Sequence, residues 1–292
     1  MKIVVLLRNV VDCRAPLPAD VYGERPLPEG METIINPPDW YALEYSLSLC
    51  AQGICSEVAA LSLGGKEAEE SLRWCLAAGV RRAVRVWDEA LAGADVLGKG
   101  RALAAAAAAL KPDLIVCGEG CLDQIDTMLP GAVAAAAGMT SVAGIVALEK
   151  VEGGRAFAVR RSGRGRRERV AIRLPALVAL EEGECPGRTA GLPELLAALA
   201  VPVPCLDLAS LGLSAAKCGA AGAKVHNLLV RFPVPPVSRP FTPDSRLPAE
   251  RRLREILAGG MSGGRGEVIT GAPERLAEKI YRFLNSIPVN LP

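Results

Sequence analysis

Short apolar runs recur through the first half of the chain, and stretches with helical spacing separate them. Ile3–Leu7 is a continuous apolar run of strand length. A polar, proline-rich loop is expected from Asp12 to about Pro38. Trp40–Cys50 then places Leu43, Leu47 and Cys50 on one helical face. Val58–Leu63 reads as a second strand closed by Gly64 and Gly65, and Glu67–Ala78 as a helix with Leu72 and Leu76 inward. Ala83–Trp87 is a third strand, Ala94–Leu110 an alanine-rich helix, and Leu114–Cys117 a fourth strand ended by Gly118. Pro130–Ala137 and Val142–Ala147 complete the series as helix and strand.

Fully apolar strands alternating with helices predict an α/β fold: a doubly wound, mostly parallel sheet covered on both faces. Ligands of such sheets bind at the carboxyl ends of the strands, where the strand order reverses. That rule directs attention to Arg8–Val11, Leu63–Gly65 and Gly118–Gly131.

The pattern changes after residue 150. Val151–Arg155 reads as a turn, and Ala156–Arg161 with Glu168–Leu174 as a β-hairpin about Ser162-Gly163-Arg164-Gly165. Ala176–Leu180 is another apolar strand and Leu192–Ala200 a short helix. From Pro202 the chain is rich in proline and glycine, with a proline-dense linker at Phe232–Pro236. Helices are expected at Ala249–Leu257 and Pro273–Leu284. The domains drawn from this reading are residues 1–213, a nucleotide-binding-type domain, and residues 214–292, a C-terminal arm.

Composition narrows the functional classes. Among 292 residues the net charge is +2, so no strong field points to nucleic acid or an anionic membrane. Aromatic residues make up 4%, too few for a base-stacking platform. The apolar start is too short for a signal peptide, and no stretch is long enough to span a bilayer, so a cytoplasmic protein without membrane insertion is expected. Nine cysteines without a C-x-x-C pair argue for free structural thiols and against a disulfide framework, and no metal site is assigned. The arginines between Arg160 and Arg169 straddle the hairpin tip. They suit either a solvated hairpin or a surface that docks an acidic partner. Gly259–Gly266 lacks the G-K-[ST] ending and the preceding strand of a phosphate loop.

Five segments carry a more specific signal through their order. They are Lys2-Ile3-Val4-Val5-Leu6-Leu7-Arg8-Asn9-Val10-Val11-Asp12, Ile35-Asn36-Pro37-Pro38-Asp39-Trp40-Tyr41-Ala42-Leu43-Glu44, Val58–Gly64, Ser71–Val80 and Lys111-Pro112-Asp113-Leu114-Ile115-Val116-Cys117-Gly118. Over about residues 1–213 the chain resembles the electron-transfer flavoprotein β family. Its members carry K-I-x-V-x-x-K-x-V-x-D, I-N-P-x-D-x-x-A-L-E, V-x-A-L-S-x-G, an A-L-A-M-G-A-D-like helix end and K-P-D-L-I-x-x-G in that order.

The resemblance implies a small subunit that pairs with an α subunit carrying most of the contacts to FAD. It also implies AMP or a second FAD on the β side. Electrons would pass from a dehydrogenase to a quinone oxidoreductase or another acceptor. No catalytic acid, base or nucleophile is expected on this chain, because the flavin carries the chemistry. The implied cofactor contacts are Leu6, Asn36, Pro37, Pro38, Asp39, Leu63, Gly118, Glu119, Gly120, Cys121, Leu122, Asp123, Asp126, Thr127 and Gly131. Arg8 joins them from its place at the first strand's end, and Cys13 stands where members often have Tyr or Thr.

The chain also departs from the family. Asp126-Thr127-Met128-Leu129-Pro130-Gly131 replaces D-T-x-Q-[TV]-G, so Leu129 removes a polar group and Pro130 an N–H. Two readings stay open there, a nucleotide site kept by Thr127 and Gly131 or an ordinary helix start. Pro38 stands where many members have Phe. In the partner-docking loop Leu192 matches the family's anchoring leucine. The lysines that follow it in the family are replaced here by the apolar run Pro193, Leu195 and Leu196, either an altered docking surface or a helix packed on its own domain. A nucleotide-free scaffold subunit is the alternative function. A regulatory module of the universal-stress type would need a glycine-rich phosphate loop that the sequence lacks.

Overall fold

In the computed structural model of the chain the described residues are 1–15, 32–123, 128–183, 190–226, 243–257 and 270–286. The chain divides into two compact units, Met1–Phe232 and Pro233–Pro292.

The first unit alternates strands and helices. β1 is Lys2–Leu7, β2 Asn9–Val11, β3 Thr33–Ile35, α1 Pro37–Ala51, β4 Glu57–Leu63, α2 Glu67–Ala77 and β5 Arg82–Val86. α3 is Val96–Leu110, β6 Leu114–Gly118, α4 Met128–Ala137, β7 Thr140–Glu152, β8 Arg155–Ser162 and β9 Arg166–Arg173. β10 is Ala176–Leu180, α5 Leu192–Ala200, β11 Cys205–Leu206 and α6 Ala215–Cys218. The second unit contains α7, Ala249–Leu257, and α8, Pro273–Ser286.

Nine strands form one sheet in the order β11-β5-β4-β1-β6-β10-β7-β8-β9, parallel as far as β7 and antiparallel through β8 and β9. The doubly wound, mostly parallel sheet expected from the apolar runs is what forms. Side chains alternate across it. Ile3, Val5 and Leu7 of β1 enter a core with Leu43, Leu47 and Leu72 from α1 and α2. Val4 and Leu6 enter the opposite core with Leu103 and Ala106 of α3 and Val133 of α4. Burial on both faces is why these strands read as unbroken apolar runs. Successive strands run outward from β1 to β4 and β5, and the chain then returns to β6 on the other side of β1. The order therefore reverses between β1 and β6, and a crevice opens above their carboxyl ends.

Several details differ from the sequence reading. The stretch taken as loop from Asp12 to about Pro38 includes β3, which pairs antiparallel with β2 through Asn9↔Ile35, Val10↔Ile34 and Val11↔Thr33. β7 runs to Glu152, two residues into the expected turn, because it leaves the parallel sheet to start the hairpin; the turn narrows to Gly153-Gly154. β11, too short to show a period, closes the far edge beside β5. Cys50 and Cys55 form a disulfide, which corrects the free-thiol reading for that pair. The chain folds back there at Gly53, φ +77°, and brings the two Cα atoms to 4.4 Å. The linker at 232–236 and the glycine run at 259–266 lie outside the described residues.

Candidate functional site

Beside the crevice, the ends of β1 and β6 are held by one buried carboxylate and one buried amide. Asp39, in the first turn of α1, is fully buried. Its Oδ2 accepts from the Arg8 backbone N–H at 3.0 Å and from Arg8 Nε at 2.7 Å. Its Oδ1 accepts from Arg8 Nη2 at 2.8 Å and from the Gly118 N–H at 2.8 Å. The same guanidinium donates to the carbonyls of Gly118 and Gly120 at 3.1 and 2.6 Å. Burial works against the charge of Arg8, but the hydrogen bond and charge of Asp39 outweigh it, so the guanidinium stays firmly protonated.

Asn36 completes the clamp. Its Nδ2 donates to the Gly120 carbonyl at 3.1 Å, and its Oδ1 accepts from the Leu122 N–H at 3.0 Å. Its backbone N–H is bonded to the Arg8 carbonyl at 2.9 Å. The ends of β1 and β6 and the start of α1 are thus tied into one polar unit. Gly118 permits it sterically: a Cβ there would lie 2.2 Å from the backbone carbon of Pro38. Gly120, at φ +102°, takes a backbone conformation that favours glycine.

The crevice itself has a volume of about 210 Å³. Leu6 and Leu63 from the strand ends, Val96 and Leu103 from α3, and Leu129 and Pro130 from α4 give it apolar walls. Lys99 brings positive charge, Arg8 enters with its charge met by Asp39, and Cys121 and Asp123 stand at its rim. Cys121 Sγ lies 3.0 Å from Asp123 Oδ1. Burial, and then the hydrogen bond to Asp123, push the thiol up to about 11. The volume is below the ~300 Å³ typical of sites for drug-sized ligands. As bounded by the described residues it fits a part of a nucleotide, a flat ring against the apolar walls or a phosphate beside Lys99.

The structure separates the expected contacts into groups. Leu6, Arg8, Leu63, Cys121 and Asp123 line the crevice. Asn36, Asp39, Gly118, Gly120 and Leu122 form the clamp behind it, and Pro38 packs on Gly118. Glu119 turns to the sheet, its Oε2 accepting from the Gly144 N–H at 2.6 Å. Pro37 instead lines a wider groove of about 720 Å³ with Trp40, Trp74, Glu44, Glu67 and Glu70, whose carboxylates oppose a phosphate. Cys13 is exposed beyond β2, its Sγ 3.6 Å from the Val11 carbonyl. Gly131 sits exposed in the first turn of α4. Asp126 and Thr127 lie outside the described residues.

Lys99 and the α3 wall were missed by sequence reasoning, since a single lysine within an alanine-rich helix carries no positional signal. Asp95 fixes the start of α3, the helix that carries Lys99. The Asp95 side chain caps α3 at the Gly98 N–H, 2.7 Å, and also accepts from the Lys224 and Val225 N–H groups at 2.7 and 3.1 Å.

In the docking segment, α5 rests on α2 through buried Ala198, and Arg73 donates to the carbonyls of Ala198, Leu199 and Val201 at its end. Leu192, Leu196 and Leu199 share the outer stripe at 67%, 58% and 62% exposure, while Pro193 is exposed and Leu195 half-buried. Among the described residues no helix is long and apolar enough to cross a membrane.

Residues 28–210 match the electron transfer flavoprotein domain. The chain is 34% identical to an electron transfer flavoprotein subunit beta of Methylophilus methylotrophus, over 56% of this chain and 63% of that relative, less than two thirds of its length. It is 30% identical to Protein FixA of Rhizobium meliloti (strain 1021), over 88% of this chain and 85% of the relative. It is 26% identical to the electron transfer flavoprotein subunit beta of Syntrophomonas wolfei, over 81% and 86% respectively.

Proposed function

The chain belongs to the electron transfer flavoprotein β family, and on that premise we propose that it is the small subunit of a heterodimer. Its companion is an α subunit bearing FAD, and the pair carries electrons from a dehydrogenase to a quinone oxidoreductase or another acceptor. The observation that carries this reading is the Arg8–Asp39–Asn36 clamp at the point where the strand order reverses. A bound flavin supplies the electron chemistry. The residues of this chain position it and shape its surroundings.

The clamp makes the β1 and β6 ends rigid, so the crevice is formed before any ligand arrives. The apolar walls exclude water. Lys99 favours an anionic ligand, so a nucleotide phosphate on the β side, from AMP or a second FAD, is part of the proposal. On α5, the stripe Leu192, Leu196 and Leu199 offers an apolar surface to a redox partner.

A second reading is favoured by Leu129 and Pro130 in the crevice wall. Proline offers no N–H to a phosphate and leucine no polar group. In that reading the β side holds no nucleotide, and the subunit serves only assembly.

Co-expression with the companion subunit, followed by size-exclusion chromatography and chromatography of the nucleotides released on denaturation, tests both. A heterodimer that releases FAD supports the electron-transfer reading, and AMP or a second FAD would extend it to the β side. A stable heterodimer that releases none favours the scaffold reading.

A further inference from the structure

α1 and α2 cover the same face of the sheet, and both line the groove of about 720 Å³. α1 gives it Trp40 and Glu44, one turn apart. α2 gives it Glu67, Glu70 and Trp74, again at helical spacing. Glu182, beyond β10, adds a fourth carboxylate.

Glu44 is the residue that the fold does not explain. Glu67 and Glu70 stand in the first turn of α2, where carboxylates offset the helix dipole. Glu44 lies two turns into α1 and is only 9% exposed. Its Oε1 accepts from Trp40 Nε1 at 2.8 Å, which orients the indole. Its Oε2 accepts no hydrogen bond from any described residue and is not sealed in the core. A carboxylate oxygen so placed costs free energy unless a donor reaches it, and the groove is where a donor can enter.

The charge of the groove is one-sided. Among the described residues that line it the one cation is Arg14, an exposed side chain paired with Asp12 at 2.9 Å. Four carboxylates therefore favour a positively charged occupant. They do not converge: among the described residues no three acidic, histidine or cysteine side chains gather as metal ligands do. A compact metal ion fits such a spread poorly, and a longer cation with spaced charges fits it well. Trp40 and Trp74, the latter 46% exposed, add aromatic surface that attracts alkylammonium groups. The volume falls in the ~300–1,000 Å³ range of small-molecule sites.

We propose that this groove binds a small aliphatic polyamine. One amine donates to Glu44 Oε2, a second meets Glu67 and Glu70 on the α2 wall, and the methylene chain between them lies against the indoles. Binding here does not depend on the electron-transfer reading.

The test titrates the full-length chain with spermidine by calorimetry at constant ionic strength, with magnesium chloride and a tetralysine peptide as comparisons. Saturable binding of one spermidine per chain is expected. Glu44→Gln keeps an acceptor for Trp40 and should weaken binding about tenfold or more. E70Q/E182Q, at exposed positions, should weaken it about threefold or more, and Trp74→Leu by about threefold. E168Q/E274Q makes the same change of charge elsewhere on the surface and should bind as the parent does. Thermal melting checks that each variant folds. No saturable binding, or equal binding in folded Glu44→Gln and E70Q/E182Q, would overturn the proposal. So would magnesium that binds as tightly as spermidine, which marks a metal site. Tetralysine that binds more tightly than spermidine, and loses this in Glu44→Gln, would overturn it in favour of a groove for a basic protein segment.

Discussion

Arg8 and Asp39 face each other through two parallel hydrogen bonds, Nε to Oδ2 at 2.7 Å and Nη2 to Oδ1 at 2.8 Å, with the carboxylate fully buried. The pair is also the anchor for the Gly118–Leu122 loop, because Asp39 accepts from the Gly118 N–H and Arg8 donates to the Gly120 carbonyl. Removing one partner leaves a buried charge and loosens the loop together with it. Asp39→Ala is therefore expected to cost about 3–5 kcal/mol, read from urea unfolding. Arg8→Lys keeps the charge and loses the fork, so a smaller loss is expected. A cost below about 1 kcal/mol for Asp39→Ala would show that the clamp does not hold the site together.

Gly118 is the steric counterpart of that clamp. An added Cβ would sit 2.2 Å from the Pro38 backbone carbon and 2.5 Å from the Pro38 carbonyl oxygen, both parts of the chain that cannot swing away. Gly118→Ala is expected to lower stability by about 1–3 kcal/mol or more, seen as a lower melting temperature. Gly163, whose added Cβ would meet nothing within 4 Å, provides the control: Gly163→Ala should melt close to the parent.

Among the described residues the Lys99 side chain makes no hydrogen bond or ion pair, yet it lines the crevice. Lys99→Glu should leave urea unfolding within about 0.5 kcal/mol of the parent. It should reduce nucleotide retained on the β side on the order of tenfold or more, measured by chromatography of the denatured heterodimer. Equal retention would remove Lys99 from the proposed phosphate contacts.

Cys121 gives a pH test. Burial and Asp123 raise its thiol to about 11, so the folded protein favours the neutral form. A raised folded-state value means that this contribution to stability is complete below the unfolded thiol value of about 8.5 and is lost as pH rises through 11. Alkylation of Cys121, followed by peptide mass spectrometry, should be slow at neutral pH and reach half its limiting rate near pH 11. Asp123→Asn removes the acceptor charge and should move the midpoint down. A midpoint below 9 in the parent would contradict the half-buried, Asp123-bonded thiol.

The fold was legible in the sequence wherever burial on both sides of the sheet imposed unbroken apolar runs, as at Ile3–Leu7 and Ala176–Leu180. It was not legible at β2, β3 and β11, which are two or three residues long and show no period. The positions at the strand ends could be read from residue type and spacing, but not the direction each side chain takes. Asn36 and Asp39 stand where ligand contacts were expected and direct their polar atoms to Arg8 and the Gly118–Leu122 loop. Leu129 and Pro130, read as departures that removed polar groups, form part of the crevice wall. That Arg155 stands opposite Arg173 across β8 and β9 could not be read at all, because it depends on the register of two strands.

The visible absorbance spectrum of the purified two-subunit complex, before and after chemical reduction, tests the central claim most directly. The account expects an oxidised flavin spectrum that bleaches on reduction and returns when an electron acceptor is added. A stable, stoichiometric complex with no flavin spectrum would contradict it.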